Sequence, residues 1–200
     1  MSALLMSLAL LGMQPKPVTT PVLLPPTLPE WRFERIEFPL TFAPALKYKG
    51  FEELQFSPGM FNAKSDTFFT YVFAMKIESD VTVNEAFLTN LLTVYFKGLC
   101  RTVSKDSKFE IDTSKIAGTV KEDHYEAPNG RHFHATLNSF DPFVTGEPLT
   151  LHLELVTLDL GSDHNRIYAS VSPKPSDHAV WSVLRGIEKK FREQTTSKAP

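Results

Sequence analysis

The sequence predicts an α+β fold: a curved, mainly antiparallel sheet of about seven strands, a long central helix over 82–103 and a C-terminal helix over 177–192. Three observations lead there. Val83, Phe87, Leu91, Tyr95, Leu99 and Val103 recur every four residues, and Leu88, Leu92, Phe96 and Cys100 form a second row beside them. Two adjacent rows make an apolar face too wide for a helix resting on a surface, so this one is expected to be buried against a sheet. Residues 149–155 alternate leucine with polar residues, the pattern of a strand with one face covered. The β-patterned segments are joined mostly by short turns, which connect antiparallel neighbours.

Taken in order, residues 1–13 are apolar and uncharged. That run is shorter than the roughly 20 residues a helix needs to cross a bilayer and has the length of a signal-peptide core. It lacks a preceding Lys or Arg and an A-x-A cleavage site. The expectation is an exported protein, periplasmic or extracellular. The alternatives are a frayed or packed N-terminal helix, or a cytoplasmic protein with residues 1–30 as a disordered tail. Residues 14–30 hold six prolines and read as an extended linker, either free or lying along the domain through Val22, Leu23 and Leu24.

One domain is expected over 31–193. Residues 31–38 alternate apolar and charged side chains, a half-buried strand ended by Pro39 and Pro44. Residues 48–56 form the second strand, with Leu54 and Phe56 on one face, followed by a turn at Ser57-Pro58-Gly59. The third strand, 68–77, is nearly all apolar, so it belongs at the sheet's centre or under cover on both faces. Thr82 and Glu85 have capping-box spacing and are expected to start the central helix.

Residues 109–112 read as a short edge strand. Strands at 116–125 and 131–139 are joined through Asn129-Gly130, a hairpin signal. Strands at 149–155 and 166–172 follow, paired through a turn at 161–165. Ser176 or Asp177 is expected to cap the last helix, whose Val180, Trp181, Leu184, Ile187 and Phe191 close an edge or end of the sheet. Residues 194–200 carry no apolar anchor and are expected to fray.

Composition narrows the function classes. The net charge of −2 and the absence of a basic run argue against a general nucleic-acid binder. Lys189, Lys190 and Arg192 cluster, but Glu188 and Glu193 offset them. Cys100 is the single cysteine, so no intramolecular disulfide forms; on the helix's apolar rows it reads as a structural thiol. No G-x-S-x-G, G-x-G-x-x-G or P-loop is present, so neither a serine-nucleophile elbow nor a nucleotide cofactor has a signature.

The candidate metal ligands are His132, His134, His152 and Glu154. His132 and His134 share one face of their strand, opposite Phe133 and Ala135, and His152 and Glu154 share the polar face of theirs. If the two strands are neighbours, three imidazoles and a carboxylate about 2.0–2.2 Å from a metal suit zinc. The plainer reading is a polar sheet face. Glu122-Asp123-His124 and Glu52-Glu53 are acidic clusters read as solvated strand edges rather than acid–base pairs. Phe68, Phe69, Tyr71 and Phe73, facing Phe87, Leu91 and Tyr95, either pack as ordinary core or line an apolar pocket.

Two stretches carry a resemblance. Phe56-Ser57-Pro58-Gly59-Met60-Phe61, Tyr71-Val72-Phe73 and Leu92-Thr93-Val94-Tyr95-Phe96-Lys97-Gly98-Leu99 resemble uncharacterised exported bacterial proteins. The ending from Ala169-Ser170 through His178-Ala179-Val180-Trp181 to Phe191-Arg192 fits the same group. A final strand feeding a Trp-bearing helix is also similar to PsbP/Mog1-like domains, whose members act mainly as binding modules. The resemblance implies no named activity. The sequence therefore points to a non-catalytic binding or accessory protein of the bacterial cell envelope, with a partner protein or a small apolar ligand. The alternative is a metal-dependent enzyme on the histidine face.

Overall fold

The strand order follows from how the chain crosses its own sheet. In the computed structural model, which describes residues 18–127, 130–159 and 165–196, three strands come first: β1 (Arg32–Glu37), β2 (Gly50–Phe56) and β3 (Tyr71–Ile77). Helix α1 (Glu85–Ser104) then carries the chain over one face to the far edge. From there β4 (Ala117–Ala127), β5 (Gly130–Phe140), β6 (Pro148–Asp159) and β7 (Asn165–Ser172) return strand by strand. β7 closes the gap beside β3, pairing Phe73 with Ala169, so the open sheet reads β1-β2-β3-β7-β6-β5-β4, antiparallel throughout. Helix α2 (Val180–Thr196) follows.

Alternation along the strands sorts side chains into two cores. Phe73, Met75, Ile167, Leu153 and Phe133 lie under Leu88, Leu91, Leu92, Tyr95 and Phe96 of α1. Residues between β1 and β2, notably Leu40, Phe42 and Leu46, complete this layer. Gly98 lets α1 approach it: a Cβ there would run into the Phe42 carbonyl. Tyr95 stacks on Phe73, with ring centres 5.8 Å apart, so this aromatic set packs as core. On the opposite face Val72, Ala74, Val156 and Tyr168 meet Trp181, Leu184, Ile187 and Phe191 of α2. As expected, β3 is covered on both sides.

Several local expectations change. α2 covers the second face instead of an edge or end, because Val72, Val156, Leu158 and Tyr168 form an apolar patch on that face that needs cover. It starts at Val180, whose N–H donates to His178 Nδ1 at 3.2 Å, beyond Ser176 and Asp177. It also runs past residue 193, with Thr195 buried and its hydroxyl donating to the Phe191 carbonyl at 2.9 Å.

The N-cap of α1 is Asn84, not Thr82: its Oδ1 accepts the Phe87 N–H at 2.9 Å. Glu85 reaches out to β4 instead of back to the cap, and accepts the Glu122 N–H at 2.8 Å. β3 begins at Tyr71 because Phe69 has φ of 48°, a left-handed value that ends an extended run. Residues 109–112 form no strand and lead into a 3-10 turn at Thr113–Lys115.

Of the proline-rich segment, residues 18–30 have neither helix nor strand, and Leu23 and Leu24 are buried in the α2-side core. The apolar run 1–13, Asn129 of the hairpin and the turn residues 161–164 lie outside the described residues.

Candidate functional site

Three groups of residues stand out by their chemistry or exposure. The first is the histidine face. β5 and β6 are neighbours, in a register that sets His134 opposite Glu154, His132 opposite Val156 and Thr136 opposite His152. All four candidates thus share the α2 side of the sheet. Their side chains, however, answer to other partners. His134 Nε2 meets Asp123 of β4 at 2.7 Å. Glu154 takes a forked contact from Arg185 of α2, with Nε at 3.0 Å and a terminal nitrogen at 2.6 Å. His132 is half-buried, and burial, then the Arg192 charge, hold its pKa down. His152 is half-buried at the next step along β6. Among the described residues, no group of three or more His, Cys, Asp or Glu side chains is arranged to hold a metal ion.

The second group is the Glu52-Glu53 pair, and here the expectation of a solvated edge is overturned. Both are 0% exposed. β2 is an interior strand with a layer on each face, so alternation buries one carboxyl per side. Glu53 points toward α2's side and is satisfied. It accepts N–H groups from Val22, Leu23 and Leu24 at 2.8, 2.8 and 2.9 Å, and pairs with Arg35 of β1.

Glu52 points under α1, between Ile36 and Met75 in register, and among the described residues neither of its oxygens has a close hydrogen-bond partner. Burial pushes its carboxyl up to about 8; the nearby Tyr95 phenol opposes this and the Glu34 charge adds to it. The Tyr71 hydroxyl beside it is likewise buried, without a hydrogen-bond partner among the described residues. Both phenols are driven well above their ordinary range, first by burial.

The third group is an aromatic ridge at the end of the sheet where β2 stops and β3 starts. Phe61 is 46% exposed and meets Phe143 edge-to-face at 5.3 Å; Phe56 lies 6.1 Å behind it. Val144, beside Phe143, is 36% exposed.

Two tightly bonded loops hold these rings out. In the first, the Ser57 hydroxyl donates to the Thr67 carbonyl at 2.8 Å, and the Phe69 N–H to the Met60 carbonyl at 3.1 Å. In the second, the buried Asp141 carboxylate accepts N–H groups from Phe143 at 2.9 Å and Thr145 at 2.7 Å, while Gly146 turns the chain with φ of 75°. Asp-Pro followed by Thr-Gly marks such a turn in sequence, but nothing in the sequence brings it against Phe61.

Cys100 is buried, with its sulfur 3.8 Å from the Ser139 hydroxyl, and burial raises its thiol pKa. Among the described residues no helix is long and apolar enough to cross a membrane.

By architecture the protein belongs with open antiparallel sheets covered by a helix on each face, here with a preformed aromatic ridge at one end. Beyond that class, no protein family model, curated protein or solved structure matches the chain.

Proposed function

We propose that the protein is a non-catalytic binding or accessory module of the bacterial cell envelope, and that it docks a partner protein through the Phe61–Phe143 ridge. The exposed Phe61 ring carries this reading. It is propped edge-to-face on Phe143 by loops bonded to their own backbone, so little ordering entropy opposes docking. Aromatic side chains with a rigid underside are the usual anchors of interfaces. The apolar run at 1–13 supports the envelope location.

The test places a photo-crosslinking phenylalanine analogue at position 61, or at the exposed Val183 as control, in the native host. A single discrete adduct from position 61, absent at 183 and lost on adding Val144→Asp, supports the proposal. No adduct at 61, or the same adduct at both positions, refutes it.

A metal-dependent enzyme on the histidine face is the second reading. One observation favours it: β5 and β6 are adjacent, and His134 lies directly opposite Glu154. Stoichiometric metal in the purified protein, lost with His134→Ala, would favour it over docking.

A further inference from the structure

We infer that the groove lined by β1, β2 and α2 is a receptor for an extended apolar peptide, which the chain's own residues 22–25 occupy here. This inference does not rest on the aromatic ridge, which lies at the end of the sheet.

The contacts have the form of peptide recognition. Three successive amides, Val22, Leu23 and Leu24, converge on the single carboxylate of Glu53 at 2.8–2.9 Å. One turn of the pleat further along β2, Gln55 Nε2 donates to the Pro25 carbonyl at 2.7 Å. Leu23 and Leu24 are buried in the cluster that includes Val72, Tyr168, Trp181 and Leu184. Main-chain hydrogen bonds thus hold the segment, and apolar sockets read its side chains.

The groove's buried Glu53 charge tolerates the segment's departure. Glu53 keeps Arg35, whose Nε lies 3.1 Å away, so the charge is not orphaned when the amides leave. The segment pairs with no strand and carries Pro21, Pro25 and Pro26, so it detaches without breaking a ladder. It also lies on the N-terminal side of β1, and its release leaves all seven strands in place.

The preferred ligand follows from the donors and acceptors. It is an extended segment with three consecutive free amides, hence no proline at those positions. Bulky apolar side chains stand at the second and third positions, with a carbonyl following for Gln55. In the intact chain the tethered segment competes at an effective concentration of order millimolar, masking the groove.

The probe is a fluorescent synthetic peptide of residues 18–31, titrated into the full-length chain and into full-length Leu23→Asp/Leu24→Asp. The double variant is expected to bind it at least about tenfold tighter than the unmodified chain. Adding Glu53→Gln should remove that gain. A folded double variant that binds the peptide no better than the unmodified chain overturns the inference.

If the double variant does not fold, hydrogen exchange on the unmodified chain decides. The Val22, Leu23 and Leu24 amides should exchange at least about tenfold faster than those of β3, as a locally opening unit. Exchange at the β3 rate makes the segment part of the core and overturns the inference.

Discussion

Glu52 makes the protein's stability fall as pH rises through the neutral range. Its carboxyl is fully buried, has no close hydrogen-bond partner among the described residues, and is pushed from the ordinary 4.5 up to about 8. Below 4.5 the folded and unfolded chains are both protonated there, and the group contributes no pH dependence. Between 4.5 and about 8 the folded chain keeps a proton that the unfolded chain has lost. Stability then drops by about 1.4 kcal/mol per pH unit. Over the whole interval the loss approaches about 5 kcal/mol as an upper bound, comparable with the entire stability of a small domain.

Urea unfolding of the wild type and Glu52→Gln at each pH from 4 to 9 measures it. Glutamine cannot ionise, so its profile lacks this slope, and the variant gains on the wild type by several kcal/mol between pH 5 and 8. Any constant offset from burying the amide appears equally at every pH and does not affect the test. Parallel profiles for the two proteins would refute the reasoning, since they would mean Glu52 titrates near 4.5 in the folded chain.

Four further outcomes are expected. Asn84→Ala, which deletes the observed cap of α1, destabilises by about 1 kcal/mol in urea unfolding, whereas Thr82→Ala stays within about 0.5 kcal/mol. Gly98→Ala drives a methyl into the Phe42 carbonyl and costs about 1–3 kcal/mol in the same measurement. Cys100, buried and with its thiol pKa raised, reacts with a thiol reagent only in urea concentrations that unfold the chain. Zn²⁺ leaves the melting temperature unchanged, and so does His134→Ala in its presence, because Asp123 and Arg185 already engage His134 and Glu154; a shift that His134→Ala abolishes would restore the metal reading.

Where one periodicity dominated, the elements were legible. The double row of α1 and the leucine alternation of β6 each specify their buried face without help from distant residues. Boundaries were less so, because competing local groups decide them. Asn84 and Thr82 both suit a cap, and only the path of the chain into α1 chooses between them. At β3, the β-prone run Phe68-Phe69-Thr70-Tyr71 gave no hint that Phe69 turns left-handed to tie the loop back to Met60. The histidines were correctly set on one face by strand period, but period says nothing of Asp123 or Arg185, which arrive from β4 and α2.

By itself the sequence determined the fold class, an α+β fold of about seven strands with a central and a C-terminal helix, as the described residues have it, since these follow from side-chain periods of 2 and 3.6 and from turn chemistry. Only the tertiary structure decided which polar residues were removed from water. Glu52 and Glu53 look like any acidic pair on a strand, yet two covering layers bury both. One carboxylate gains an arginine and three amides; the other lies buried near the Tyr95 and Tyr71 phenols, its pKa pushed up to about 8. Likewise Phe61 and Phe143 are distant in sequence and become a ridge only where two loops meet at the sheet's end. Burial and convergence depend on what packs from elsewhere in the chain, and local pattern carries no record of that.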